Sequence, residues 1–160
     1  MNDNNLLEPV ADIDALDEKI LRLITKNART PFLEVARECG VSGAAIHQRV
    51  QRLLNIGVVS GSEFILNPQR LGYNTTAYMG IYLEKAKFHR QVVDELMKIP
   101  EIVECHYTTG QYAIFVKILT KNNKHLKNII DEHFQNIEGI ARTETFISLE
   151  TEFKRQVELK

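Results

Sequence analysis

A chain of 160 residues with 44% hydrophobic content can bury one moderate core or two small ones. A net charge of −1 excludes a uniformly basic nucleic-acid binder, and two lone cysteines, Cys39 and Cys105, with no C-x-x-C pair, exclude a disulfide scaffold or a zinc ribbon. No apolar run is long enough to span a membrane, and Met1–Val10 has neither the basic start nor the hydrophobic run of a signal peptide, so a cytoplasmic protein is expected.

Residues 1–12 are polar, lack periodicity and are expected to form a flexible arm. From there Ile13, Leu16, Ile20, Leu23 and Ile24 recur at helical spacing. An acidic first turn followed by Lys19, Arg22 and Lys26 suits the helix dipole and predicts a first helix ending near Asn27. Arg29-Thr30-Pro31 reads as loop, N-cap and first-turn proline of a short second helix, whose apolar content is Phe32, Leu33, Val35, Ala36 and Cys39 and whose stop is Gly40. The third helix occupies SGAAIHQRVQRLLNIG, Ser42 to Gly57. Ile46, Val50, Leu53 and Leu54 fall in one stripe that must be buried, Ser42 suits the N-cap, and Gly57 suits the position just past the end. The second and third helices therefore form a helix-turn-helix. Val58-Val59 and Glu63–Leu66, around Ser60-Gly61-Ser62, predict two short strands, a wing.

On the face of the third helix away from the buried stripe, Ala44, Gln48, Arg52 and Asn55 line up, with Ala45 and Gln51 beside them. Small side chains followed by amides and guanidinium suit a major groove: alanine allows close approach and contact with a thymine methyl, glutamine pairs with adenine, and arginine meets guanine or phosphate. No acidic residue occurs between Glu38 and Glu63, so this ridge lies in an acid-free window. Arg49, at the flank, either holds a phosphate or pairs with an acid of the first helix. His47, near the buried edge, either packs in the first turn or touches DNA. The candidate DNA contacts are Ser42, Ala44, Ala45, His47, Gln48, Arg49, Gln51 and Arg52.

Asn67-Pro68 to Gly72 interrupts both periodicities, which places a linker at 67–74 between a DNA-binding domain, 13–66, and a second domain, 75–160. Thr76–Leu83 alternates as a half-buried strand. Phe88–Lys98 is helical, with Val92, Val93 and Leu96 on one side. Ile102–Thr108 and Tyr112–Leu119 form a hairpin around Thr109-Gly110-Gln111, Lys124–Ile137 is a second helix, and Ile140–Leu149 is a last strand. The order βαββαβ predicts an α+β domain of ferredoxin-like type, a four-stranded antiparallel sheet with two helices on one face. A sheet rich in Ala77, Met79, Tyr78, Tyr82, Ile114 and Val116 has more apolar surface than two short helices cover, which calls for a partner sheet and at least a two-fold dimer.

Ile13-Asp14-Ala15-Leu16-Asp17-Glu18-Lys19-Ile20-Leu21, Ala28-Arg29-Thr30, Val41-Ser42, Arg49-Val50, Arg52-Leu53 and Gly57-Val58-Val59-Ser60-Gly61 together resemble the winged helix-turn-helix of the Lrp/AsnC (feast/famine) transcription regulators. Thr109-Gly110-Gln111-Tyr112 and Thr143-Glu144-Thr145 are similar to that family's effector-binding and oligomerisation domain. The resemblance implies a regulator that binds double-stranded DNA, dimerises through its sheets, assembles to octamers or similar rings, and responds to an amino acid at oligomer contacts; the two-fold dimer in turn calls for palindromic-type DNA sites. Its implied effector contacts are Gly110, Gln111, Tyr112, Ala113, Thr143 and Thr145. Gly110 also has a bland role, supplying positive φ for the turn, and β-propensity alone explains Thr143 and Thr145, which share one strand face. Ala113 departs from the family, which commonly has an aspartate there. The ammonium of an amino acid would then need Glu104, Glu144 or backbone carbonyls as acceptor, and weak binding or a shifted ligand preference is expected.

The alternatives are an effector-blind architectural DNA-binding protein and an amino-acid-binding regulatory subunit of a metabolic enzyme. No nucleophile–base pair, phosphate loop or metal-ligand cluster is legible, since Cys105 and His106 point to opposite strand faces, so no catalytic residue, metal or cofactor is expected.

Overall fold

The computed structural model describes residues 11–159. They form two compact units, a first whose main segment ends at Ile65 and a second spanning Leu66–Arg155. Residues 1–10, most of the expected arm, lie outside the described residues.

In the first unit the helices are α1 (Ala15–Lys26), α2 (Phe32–Cys39) and α3 (Gly43–Asn55). Asp14 and Asp17 open α1 with a reciprocal capping box: the Asp17 amide donates to the Asp14 carboxylate at 2.8 Å, and the Asp14 amide to that of Asp17 at 3.2 Å. Pro31, not Thr30, is the N-cap of α2, and its carbonyl accepts from the amides of Glu34 and Val35. A proline tolerates that position because its missing N–H would have had no helical partner. Gly40 ends α2 in the left-handed region at φ 70°, turning the chain so that Ser42 can cap α3 through the Ala45 amide at 3.2 Å.

Ile20, Val35, Ala36, Ile46 and Val50 form the core of the three helices, with Leu16, Phe32 and Val41 packed around them. Leu53 is also fully buried, but Leu54 is exposed, because the buried stripe narrows in the last turn of α3. The strands expected at 58–66 do not form: this segment has no ladder partner, and it is tied down by the Val59 amide on the Leu53 carbonyl at 3.1 Å, by half-burial of Val58 and Val59, and by the Arg29 guanidinium 4.6 Å over the Phe64 ring. An isolated two-stranded ribbon is marginal in water, and β-propensity alone does not hold one together. The segment stands where a wing would, as an extended loop.

In the second unit β1 (Thr75–Leu83), α4 (His89–Leu96), β2 (Ile102–Tyr107), β3 (Ile114–Thr120), α5 (Asn123–Glu132) and β4 (Ile140–Ser148) follow one another in the order βαββαβ. The sheet is antiparallel with strand order β2-β3-β1-β4. Single 3-10 turns precede α4, at Ala86–Phe88, and follow α5, at Phe134–Asn136. Ala77, Met79, Ile81, Ile114, Val116 and Ile118 point to one face and meet Val92, Leu96, Leu126, Ile129 and Phe134 of the helical layer.

The six apolar residues counted together for the sheet divide between its two faces, as the alternation of β1 predicts. Ala77, Met79, Ile114 and Val116 are fully buried under the helices, whereas Tyr78 and Tyr82 stand on the other face. The period of a strand is two, so a sum over consecutive residues mixes both sides.

Candidate functional site

The first candidate site is α3. Its exposed residues Ser42, Ala44, His47, Gln48, Gln51 and Arg52, with half-buried Ala45 and Arg49, are carried by the turn that Ser42 caps and by the stripe Ile46-Val50-Leu53 beneath. His47 touches the ring of Phe32 edge-on, with centroids 4.7 Å apart, so it packs against α2 while staying exposed. Gln51 donates to Asn55 at 3.1 Å along the helix.

The two arginines are not loose. Arg49 donates through Nη1 to Asp14 Oδ2 at 2.6 Å and to Asp17 Oδ1 at 2.8 Å. Arg52 donates through Nη1 to Asp17 Oδ2 at 3.0 Å and through Nη2 to the Asp12 carbonyl at 2.6 Å. The Asp17 side chain is 1% exposed, Arg49 32%, Arg52 46% and Asp14 55%. An aspartate buried to that degree must be paired, and both of its oxygens are. The hydrogen bond from Arg49 lowers the pKa of the Asp14 carboxyl below its ordinary value, and the same bond raises that of Arg49.

Of the two readings open for Arg49, pairing with acids of the first helix is the one present in this structure. The acid-free window in sequence is thus closed in space by residues that lie 32 and 35 positions earlier. Sequence reasoning missed Asp17 as a partner of Arg52; the available signal was the capping-box spacing, which fixed Asp14 and Asp17 on the first turn of α1.

The second candidate site lies around the β2–β3 connection and β4. The loop closes through the Thr108 amide on the Ala113 carbonyl at 3.0 Å and the Thr108 hydroxyl on the Tyr112 carbonyl, while the Ala113 amide donates to Ile81. Gly110 does not take a positive φ, and a side chain there would meet nothing, so the turn role expected of it is wrong. A connection of this width reverses the chain without a left-handed residue. Gly110 and Gln111 are exposed, and Thr143 and Thr145 share one face of β4 as expected, opposite Ile81 and Met79.

The Tyr112 ring is on the other face. It covers Gly80, where an added Cβ would lie 2.4 Å from the ring, and its hydroxyl donates to Glu144 Oε2 at 2.8 Å. The Tyr82 hydroxyl donates to Glu144 Oε1 at 3.1 Å, and Arg142 stacks on the Tyr82 ring at 3.9 Å. Tyr78, Phe115 and Phe146 complete this aromatic face. The hydrogen bond from Tyr112, then that from Tyr82, lowers the pKa of Glu144, and the bond to Glu144 raises that of Tyr112. The expected effector residues thus fall into two sets, Tyr112 on the open face and Thr143 with Thr145 on the helix-side face. The two acids considered as ammonium acceptors are both engaged: Glu144 by the tyrosines, and Glu104 by Lys117 at 3.1 Å.

Residues 13–54 match the AsnC-type helix-turn-helix domain, and residues 76–157 match the Lrp/AsnC ligand binding domain. The regulatory protein AsnC of Haemophilus influenzae is 40% identical over 146 residues, 91% of this chain and 97% of that protein. The solved structure of Escherichia coli AsnC superposes with a TM-score of 0.88 at 35% identity, covering 92% of this chain and 99% of that one. A transcriptional regulator of Neisseria meningitidis, solved as an L-Met complex, shares the fold with a TM-score of 0.84 at 21% identity, over 93% of this chain and 97% of its own. With both domain types matched in order and nine-tenths of its length aligned to a regulator at this identity, the chain belongs to the Lrp/AsnC family of helix-turn-helix transcription regulators, which are not enzymes.

Proposed function

We propose that α3 reads double-stranded DNA in the major groove, and that the C-terminal domain, 75–160, assembles the protein and binds a small effector of the amino-acid class. The observation that carries the reading is the uncharged ridge of exposed Ala44, Gln48 and Gln51 with half-buried Ala45, held by a capped helix whose opposite residues Ile46, Val50 and Leu53 are buried. Methyl groups followed by amides can enter the groove and pair with base edges, with the Ser42 end and His47 near the backbone and Arg49 and Arg52 at the flank. A linker over 67–74 separates this DNA-binding domain, 13–66, from the assembling one.

The aromatic open face, on which Phe146 is exposed, supports pairing with a second sheet in a two-fold dimer that assembles further to an octamer or similar ring. Such a dimer places two copies of α3 on successive major grooves, about 34 Å apart or a multiple of that, which suits palindromic sites. The exposed Gly110 and Gln111, with Tyr112, Ala113, Thr143 and Thr145, are the effector contacts of this reading, and its compartment is the cytoplasm. Since position 113 brings no carboxylate and Glu104 and Glu144 already have partners, ammonium recognition falls to backbone carbonyls and affinity for ordinary amino acids is low. The regulator solved with L-Met supports the ligand class.

The test is selection of binding sites from a random duplex pool, followed by Gln48→Ala. Loss of a bidentate glutamine–adenine pair costs about 1–3 kcal/mol at one base position and relaxes the preference there. A Gln48→Ala protein that selects the same sites with the same affinity overturns the assignment of α3.

A further inference from the structure

We propose that Asp17 and Asp14 determine specificity in the DNA-binding unit: by neutralising Arg49 and Arg52 from inside the protein, they strip α3 of sequence-independent attraction for phosphate and leave discrimination to its uncharged ridge. The inference rests on α3 being the DNA-reading helix.

Residues 11–65 carry seven acidic and seven basic side chains, so this segment has no net positive charge with which to hold a polyanion. On α3 the formal cations are Arg49 and Arg52, one turn apart, and both donate to Asp17. Asp17 is 1% exposed, so water does not screen its charge from theirs, and Asp14 adds a second carboxylate against Arg49 at 2.6 Å. Two positive charges thus face two negative ones. The separations are about 3 Å, well inside the screening length of about 10 Å at 0.1 M salt, so an approaching phosphate meets the field of the whole cluster and not that of two cations.

Non-specific affinity comes from neutralised phosphates and the counterions they release, about 0.9 in the slope of log K against log salt for each phosphate neutralised. Cancelling the cations of the reading helix lowers that background at every DNA sequence alike. Base-edge contacts by Ala44, Ala45, Gln48 and Gln51 carry no charge and are untouched, so the ratio of specific to non-specific binding rises. A merely structural ion pair predicts only loss of stability when an acid is removed. Charge cancellation predicts tighter binding to the wrong DNA.

The experiment compares the full chain with Asp17→Asn and Asp14→Asn variants on two duplexes of equal length, one selected from a random pool by wild type and one with its sequence scrambled. Anisotropy titrations run across a salt series, and amide-region circular dichroism checks folding. Both variants are expected to bind the scrambled duplex several-fold more tightly, with a slope steeper by about 0.9 for every additional phosphate neutralised, and to lose several-fold in the selected-to-scrambled ratio. Adding Arg52→Gln to Asp17→Asn should return the slope toward wild type. Asparagine caps a helix as well as aspartate, and the Asp14 side chain is 55% exposed, so Asp14→Asn decides the question even if Asp17→Asn fails to fold. Folded variants that bind the scrambled duplex no more tightly and with an unchanged slope overturn the inference alone. A wild type that binds both duplexes alike overturns the reading of α3, and this inference with it.

Discussion

Each unit of the molecule sets one carboxylate between two donors, and the two arrangements are opposites. Asp17 lies between α1 and α3, almost without exposure, and meets two guanidinium groups. Glu144 lies on the open face of the sheet and meets two neutral phenols, with Arg142 at 3.4 Å and largely exposed. A charge taken out of water needs an opposite charge, so the first cluster fixes where α3 lies on α1. A carboxylate at a wet surface needs nothing of the kind, and what places the second cluster is ring packing over Gly80. Electrostatics positions the element in one unit, and shape positions it in the other.

The sharpest way to break this contrast is to delete the buried charge. Asp17→Ala leaves Arg49 and Arg52 without their shared acceptor and removes half of the α1 capping box. Stranding a fully buried ion costs about 3–5 kcal/mol, but both arginines reach solvent and can turn outward, so the expected loss is about 2 kcal/mol. Amide exchange in α3 should accelerate about thirtyfold, since about 1.4 kcal/mol is a factor of ten in the opening equilibrium. The second unit offers an internal control: the chain has five tyrosines and no tryptophan, and every tyrosine lies between 73 and 112, so tyrosine emission reports that unit alone and should not change. A larger loss from Glu144→Ala than from Asp17→Ala would reverse the contrast.

Shape is tested next. Gly80→Ala puts a methyl group 2.4 Å from the Tyr112 ring, and the ring must leave the face or the strand must shift. Overpacking of this kind costs about 1–3 kcal/mol, and displacement of one side chain at a partly open face belongs near the lower end. Near-ultraviolet circular dichroism should lose the signature of the Tyr82–Tyr112 pair, whose centroids are 5.1 Å apart. An unchanged spectrum would mean that Gly80 does not hold the ring in place.

The same contrast decides what could be read in the sequence. Local periodicity and caps were legible: the stripe Ile46-Val50-Leu53, the Ser42 cap, the Gly40 stop and the βαββαβ order all depend on neighbours within a few residues. What failed depended on space or on absent partners. Arg49 and Arg52 stood in an acid-free window until folding brought Asp14 and Asp17 against them. Val58-Val59 and Glu63–Leu66 carry strand-forming residues but have no ladder to join. Gly110 looked like a required left-handed turn residue, yet the Thr108–Ala113 closure is wide enough to do without one. Gly80 gave no signal, because a glycine in an alternating strand shows its purpose only once the ring that covers it is known.

The smallest effect tests whether the Glu144 cluster is held by its hydroxyls. The carboxyl of Glu144 titrates below its ordinary 4.5 because Tyr112 and then Tyr82 donate to its charged form, and the Tyr112 hydroxyl titrates above its ordinary 10.0 because its protonated form donates a hydrogen bond to the carboxylate. A depressed acid contributes stability that is complete above its unfolded value and is lost as pH falls through the folded one. The second unit should therefore weaken as pH falls below 4.5. A raised phenol contributes stability that is complete below its unfolded value and is lost as pH rises through the folded one, so the unit should weaken again above pH 10.0. Glu144→Gln removes the titrating carboxyl and the anion that repels tyrosinate. Its tyrosine-monitored stability should change less across the acid limb than that of wild type, and absorbance titration should show one tyrosine ionising earlier. If the acid limb is unchanged and all five tyrosines titrate as before, packing over Gly80 alone holds Tyr112, and shape governs the second unit more completely than the two hydrogen bonds suggest.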